Sequence, residues 1–250
     1  MDVKWLLVLA ACSGSKSRPE DARHVQHETP HDAAAAIDAL ATGDGDVQIR
    51  VEWKDTPAVA RTSPGRTACG TPKAASVAPT VTWGVPEVFV MLDLPGKAPS
   101  IDAHVRLHDC MLSPRIAFTG NALTLESGAL APAKMTLHQV GKLPFGGDLT
   151  DAARTVYLPI AGHEVVATLE PGALYRVDSD DSTAWIVAAD RPFFAITEAN
   201  GQVLLRDVPV GAYPVTAWLP PRGGQPARIA QGTVTVTAGD LAEVTLDLGK

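Results

Sequence analysis

The sequence predicts an all-β protein of the sandwich class. Three observations carry this expectation. Short runs with apolar residues at every second position recur along most of the chain, Gly, Pro or Asp clusters separate most of them, and no long amphipathic helical pattern is present. The 250 residues suffice for one large β domain or two small ones, and a 46% share of hydrophobic residues supplies a core. The 20 Pro and 21 Gly are spread along the chain, as many short strands joined by turns require. A formal net charge of −7 argues against nucleic acid or an anionic membrane surface as partner. No apolar stretch reaches the roughly 20 residues that span a bilayer.

Residues 1–11 read as a signal peptide: Lys4 is a weak positive start, Trp5 to Leu9 a short apolar core, and Ala10 and Ala11 the small residues before a cleavage point. Leu9-Ala10-Ala11-Cys12 resembles the lipobox of bacterial lipoproteins, in which the cysteine is lipidated and becomes the new N-terminus. The alternative is a buried strand or helix start with an incidental cysteine. The resemblance implies a lipid anchor at Cys12 that holds the chain to a membrane of the bacterial cell envelope. Ser13 after the cysteine resembles the signal that sorts lipoproteins to the outer membrane, facing the periplasm or the cell surface. Residues 12–45 then form a polar tether. Within it Thr29-Pro30-His31-Asp32 marks the start of an Ala-rich helix through Leu40, too short to persist alone. His24, His27 and His31 have metal-ligand spacing on a helix, but Pro30 interrupts the set, so a plain polar linker competes with adventitious Cu²⁺ or Zn²⁺ binding.

The envelope is oxidising, and one lipidated cysteine plus one pair accounts for the three cysteines of the chain. A Cys69–Cys110 disulfide is therefore expected. The alternative is two reduced, buried cysteines.

From Asp46 the period changes to two. Val47, Ile49, Val51 and Trp53 alternate with Gln48, Arg50 and Glu52 in a half-buried strand. Further strands are expected loosely at Thr80–Trp83, then at Glu87–Leu94, Asp102–His108, Arg115–Phe118, Ala122–Glu126, Thr155–Ile160, Glu164–Leu169, Ala173–Val177 and Trp185–Ala189. A smaller unit, 191–250, follows. In it Phe193–Thr197 and Gln202–Arg206 flank Glu198-Ala199-Asn200-Gly201, whose Asn-Gly is a hairpin signal. Strands at Tyr213–Trp218, Arg228–Val236 and Glu243–Leu248 complete it.

In this last unit Gly201, Val203–Leu205, the turn Val208-Pro209-Val210-Gly211-Ala212-Tyr213 and the strand Val215–Trp218 resemble the carboxypeptidase-regulatory-like (transthyretin-like) β modules. Such modules are non-catalytic spacers or stabilisers. Residues 46–190 resemble the plastocyanin-like, cupredoxin-type envelope proteins that precede such a module. The residues that carry this likeness are Ala68-Cys69-Gly70, the strand Val85–Leu94, Asp109-Cys110 with Ser113-Pro114, and Leu137-His138-Gln139-Val140. Thr155–Pro159, Glu170-Pro171-Gly172 and Asp190-Arg191-Pro192-Phe193-Phe194-Ala195-Ile196-Thr197 complete them. Together the two resemblances imply a cupredoxin-like β-sandwich followed by a smaller transthyretin-like one. The family holds copper with a His after the middle strands and a late C-x-x-H-x-x-M-like cluster, two imidazoles, a thiolate and a thioether. His138 stands at the first position, but the late cluster falls on Arg176, Ser179 and Ser182, Pro114-Arg115 replaces a frequent Pro-His, and no cysteine follows Cys110. The resemblance thus implies a sandwich whose type-1 copper site has been lost, with no cofactor.

Other candidates compete with plain structural roles. Asp178, Asp180 and Asp181 could hold Ca²⁺, but the EF-hand glycine and distal Glu are missing, so a solvated acidic loop is the simpler reading. His104, Arg106 and His108 mark the solvent face of one strand; residues four apart there are about 13 Å apart, too far to share a metal. His138 and His163 are isolated in sequence. No G-x-S-x-G, H-E-x-x-H or phosphate-cradling glycine loop is present, and nothing points to an enzyme. Three functions remain open: a lipid-anchored binding or structural module for an envelope protein or small ligand; a periplasmic copper-handling protein built around His138 and the Asp178–Asp181 loop; and carbohydrate or peptide binding on Trp53, Trp83, Trp185 or Trp218.

Overall fold

The computed structural model describes residues 43–63, 65–75, 77–98, 100–145, 152–222 and 224–249. The signal peptide, Cys12, the expected helix at 29–40 and His24, His27 and His31 lie outside these residues. Among the described residues no helix is long and apolar enough to cross a membrane.

The all-β expectation holds. Sixteen strands and one four-residue helix, α1 (Ala58–Arg61), account for the regular structure of the described residues. In chain order the strands are β1 (Asp44–Glu52), β2 (Phe89–Leu92), β3 (Ala103–His108), β4 (Met111–Ser113), β5 (Ile116–Thr119), β6 (Ala122–Ser127), β7 (Ala133–Lys142) and β8 (Ala152–Leu158). They continue with β9 (Glu164–Thr168), β10 (Ala173–Asp178), β11 (Thr183–Ala188), β12 (Phe194–Ile196), β13 (Gln202–Pro209), β14 (Gly211–Leu219), β15 (Arg228–Val236) and β16 (Leu241–Asp247).

They form four sheets stacked as two sandwiches. The outer sandwich pairs the sheet β13-β1-β16 with β12-β2-β14-β15, and the inner one pairs β5-β11-β10-β7-β8 with β4-β3-β6-β9. Side-chain alternation places the cores. Val47, Ile49 and Val51 of β1 pack on Val90, Leu92, Val215 and Ala217 in the outer core. Val105, Leu123 and Leu125 meet Met135, Leu137, Val177 and Ile186 in the inner one. A third, aromatic layer joins the sandwiches face to face. There Phe89 and Met91 of β2, Phe194 and Trp218 pack on Ile116, Leu174, Trp185 and Val187.

Two central strands are therefore buried on both faces, which explains their continuous apolar runs. In β2, Phe89 and Met91 face the seam while Val90 and Leu92 face the outer core. In β11, Trp185 and Val187 face the seam while Ala184, Ile186 and Ala188 face the inner core.

The division expected at residue 190 is redrawn by this topology. β1 pairs antiparallel with β13 and parallel with β16, and β2 lies between β12 and β14. Residues 44–92 thus belong with the later strands, and β3–β11 form an insert that leaves after β2 and returns at β12. The alternation of β1 specifies a buried face; it does not specify the partner strand.

Three local expectations are also corrected. Thr80–Trp83 is a turn closed by a Trp83 N–H to Thr80 C=O bond of 2.9 Å, with Trp83 at φ 67°. β7 runs through residues assigned no strand, because clear alternation there is confined to buried Met135 and Leu137. The Asn200-Gly201 turn is not a hairpin: it closes with a Gly201 N–H to Glu198 C=O bond of 2.9 Å, but β12 and β13 then enter different sheets. Its glycine is needed for close approach, since a Cβ on Gly201 would stand 2.4 Å from Val85 N.

Candidate functional site

A cleft of about 440 Å³ opens at one end of the seam. Four elements converge on it: β10 with the following 179–182 loop and β11, the β4–β5 turn, the residues after β14, and the long connection between β1 and β2. Trp185, 9% exposed, forms its apolar base, and Lys73, Arg115, Arg176 and Arg222 line it with the acidic residues Asp178, Asp180 and Asp181.

A disulfide fixes one wall. Cys69 and Cys110 are bonded, with Cα atoms 5.8 Å apart. Cys110 sits in the two-residue β3–β4 turn, where Asp109 and Cys110 have φ of 49° and 62°, the both-left-handed form that matches the twist of a tight hairpin. The bond holds the 66–73 segment against this turn. Asp181 ties the same segment from the cleft side: Ala68 N–H donates to Asp181 Oδ2 at 2.8 Å, and Lys73 Nζ stands 3.3 Å from Oδ1. The Ala68 amide, then the Lys73 ammonium, hold the Asp181 carboxyl below its ordinary range.

The opposite wall is basic. Arg222, with a side chain 10% exposed, donates from Nη1 to Glu87 Oε2 at 2.8 Å and from Nη2 to the Glu87 carbonyl at 2.7 Å. Arg115 Nη2 donates to the same Glu87 Oε2. Two guanidinium groups therefore share one carboxylate, and of the three side chains Arg222 is the one withdrawn from solvent. Burial, with the neighbouring Arg115, pulls Arg222 down to about 10 against the pull of Glu87, so it remains charged at neutral pH. Glu87 itself is held at φ 56°, a left-handed conformation that costs a non-glycine residue about 1 kcal/mol.

Between these walls Arg176 Nε donates to Asp178 Oδ2 at 2.7 Å, and His138 Nε2 lies 3.4 Å from the same oxygen. Thr183 Oγ1 donates to Asp178 Oδ1 at 2.8 Å. Asp180 lines the rim and is exposed. The hydroxyls of the loop are engaged with backbone: Ser182 Oγ accepts from Leu112 N–H at 2.9 Å, and Ser179 Oγ donates to the Ser182 carbonyl at 3.2 Å.

The positions singled out on sequence do meet. Arg176 and His138 are direct register partners on β10 and β7, and Ser179, Ser182 and Arg115 stand around the same cleft as Arg176. Their chemistry is basic and hydroxylic, without the thiolate and thioether of a soft copper site. The Asp178–Asp181 loop does not act as one ligand set, because Asp178 faces His138 and Arg176 while Asp181 faces Ala68 and Lys73. Glu87, Lys73 and Arg222 were not legible, since each comes from an element far away in sequence and none belongs to a motif. Of the tryptophans, Trp53, Trp185 and Trp218 are buried, and Trp83 alone of the four is exposed, at 40%. His104 and His108 do project outward, with His104 beside Glu126 and His108 beside Asp109. His163 is half-buried.

Compared with known protein families the chain matches none, and a search of curated proteins finds no match.

Proposed function

We propose that the chain is a non-catalytic binding module, held to the bacterial cell envelope by lipid on Cys12, whose cleft receives an oxyanion-bearing small ligand. The observation that carries this reading is the Arg115–Glu87–Arg222 group. Two guanidinium groups converge on one carboxylate at the cleft wall, so this trio by itself carries one positive unit in excess, while the rest of the lining sets Lys73 and Arg176 against Asp178, Asp180 and Asp181. A bound carboxylate or phosphate would complete the trio through charge-assisted hydrogen bonds. Trp185 offers an apolar surface for the rest of the ligand.

The non-catalytic part is supported by the hydroxyls of Ser179 and Ser182, which are engaged with backbone groups. The envelope location is supported by Leu9-Ala10-Ala11-Cys12 and by the Cys69–Cys110 disulfide, which suits an oxidising compartment. Copper handling at His138 is less well supported, because the Arg176 guanidinium already occupies the Asp178 oxygen that a cation would need.

The test is calorimetric titration of the chain with a dicarboxylate, inorganic phosphate and an uncharged amide analogue of the dicarboxylate. Saturable binding of an oxyanion, absent for the amide, is expected. Arg115→Gln and Arg222→Gln should each weaken it about 10- to 100-fold, the loss of one charged hydrogen bond. No saturable binding by either oxyanion, or binding unchanged in both variants, refutes the cleft reading. The anchor is tested separately, by membrane fractionation of wild type and Cys12→Ala: equal partition of the two refutes it.

A further inference from the structure

A second constellation lies on the outer face of the sheet β4-β3-β6-β9. The alternation that buries Val105, Leu125 and Ala167 sends His104, Glu126 and Glu164 to the other side. Glu126 and Glu164 are direct register partners on β6 and β9, and His104 on β3 faces Thr124, two residues before Glu126. One donor atom from each residue, an imidazole nitrogen and two carboxylate oxygens, lies within 4.8 Å of the other two. His104 Nε2 stands 2.9 Å from Glu126 Oε2, while Arg106 Nε is 3.2 Å from Oε1 of the same carboxylate.

The charge balance of this face is unfavourable as it stands. Like charges directly opposite on an antiparallel pair repel. Arg106 answers the Glu126 carboxylate at Oε1, and Glu164 stands directly across the ladder from that same residue. Glu126 is also poorly solvated, its side chain 13% exposed.

We propose that His104, Glu126 and Glu164 form a site for a divalent transition-metal ion of the zinc type. One imidazole and two carboxylates are donors that suit such an ion, with solvent in the remaining position. Arg106 stays on Oε1, so Glu126 binds through Oε2 alone. Tetrahedral bonds of about 2.0–2.2 Å put donors about 3.4 Å apart, so donors that all lie within 4.8 Å of one another need to close by no more than about 1.4 Å on binding. The exposed Glu164 side chain can supply that movement. The site became visible only through strand pairing, because its residues stand on three neighbouring strands and neither glutamate belongs to a sequence motif. It shares no residue with the oxyanion cleft and stands or falls independently of it.

The full chain, stripped with chelator, is titrated with Zn²⁺ in a calorimeter. The variants are His104→Ala, Glu164→Gln, His108→Ala, and a triple variant with alanine at His24, His27 and His31. A one-to-one isotherm is expected that His104→Ala and Glu164→Gln each weaken at least about tenfold, and that His108→Ala and the tether variant retain. All substitutions inside the described residues are at exposed positions, and unchanged unfolding midpoints of the stripped variants confirm that the fold is kept. No saturable Zn²⁺ binding, binding that survives His104→Ala and Glu164→Gln, or binding lost with the tether histidines overturns the proposal.

Discussion

Replacing Cys69 and Cys110 by serine should destabilise the protein by about 3–4 kcal/mol. The bonded residues are 41 apart in sequence, and in the chain-entropy account releasing a loop of this length costs about 4 kcal/mol. Little else in the 65–73 segment offsets that loss. Thr67 is its one buried residue, and its links to the cleft are the Ala68 and Lys73 contacts with Asp181. The substitution also leaves the left-handed Asp109 and Cys110 positions to be held by the β3–β4 ladder alone. The assay is urea unfolding of the oxidised wild type and the double serine variant, followed by tryptophan fluorescence and far-UV circular dichroism. Hydrogen exchange at the Ala68 amide reports the local effect and should speed up more than exchange within β10. A loss below about 1 kcal/mol, or unchanged protection at Ala68, would show that the segment docks by other means and refute the reasoning.

Glu87→Gln should cost about 2 kcal/mol, less than a fully buried pair because Glu87 is 36% exposed, and added phosphate should stabilise this variant more than wild type; equal phosphate effects on both would contradict the charge argument. The folded-state Asp181 carboxyl lies below its ordinary value of 3.8, so its contribution is complete above that value and is lost as pH falls through the lower folded one. The Ala68 amide resonance should therefore titrate with a midpoint under 3.8 and lose that titration in Asp181→Asn; a midpoint at or above 3.8 counts against the tie. Trp218→Ala should cost about 3–5 kcal/mol in urea unfolding, because Trp218 is 3% exposed, stacks on Phe145 at 4.9 Å and meets Trp185 edge-on at 5.6 Å. A cost under about 1 kcal/mol would mean that the seam does not couple the sandwiches.

Strand existence is legible where a buried face alternates clearly with a wet one over several residues, as it does not in β7. Val47, Ile49 and Val51, or Val105 and Leu107, betray their strands by alternation alone. Partners were not legible, because a strand two hundred residues from its mate carries the same pattern as one beside it. Sequence alone therefore groups β1 with the strands that follow it and makes the Asn200-Gly201 turn a hairpin, and the pairing shows neither. The site shows the same divide. Arg115, Arg176, His138 and the 178–182 loop could be named from the residues in line with them, whereas Glu87 and Arg222 gain meaning only when two arginines meet one carboxylate. Along its own strand His104 has only His108 for company, and its companions Glu126 and Glu164 lie across the ladder.

The placement of β1 also sets an order of events in time. Among the described strands its two neighbours, β13 and β16, are the thirteenth and sixteenth in chain order, so β1 emerges long before them and waits with most of both edges open. The insert strands β3 to β11 pair only among themselves and are complete before either neighbour exists. The inner sandwich can thus close first, and the outer one closes around a strand made long before it. Pairings over such a distance slow folding, and an unpaired apolar strand kept waiting is the part of this chain most exposed to association with other chains.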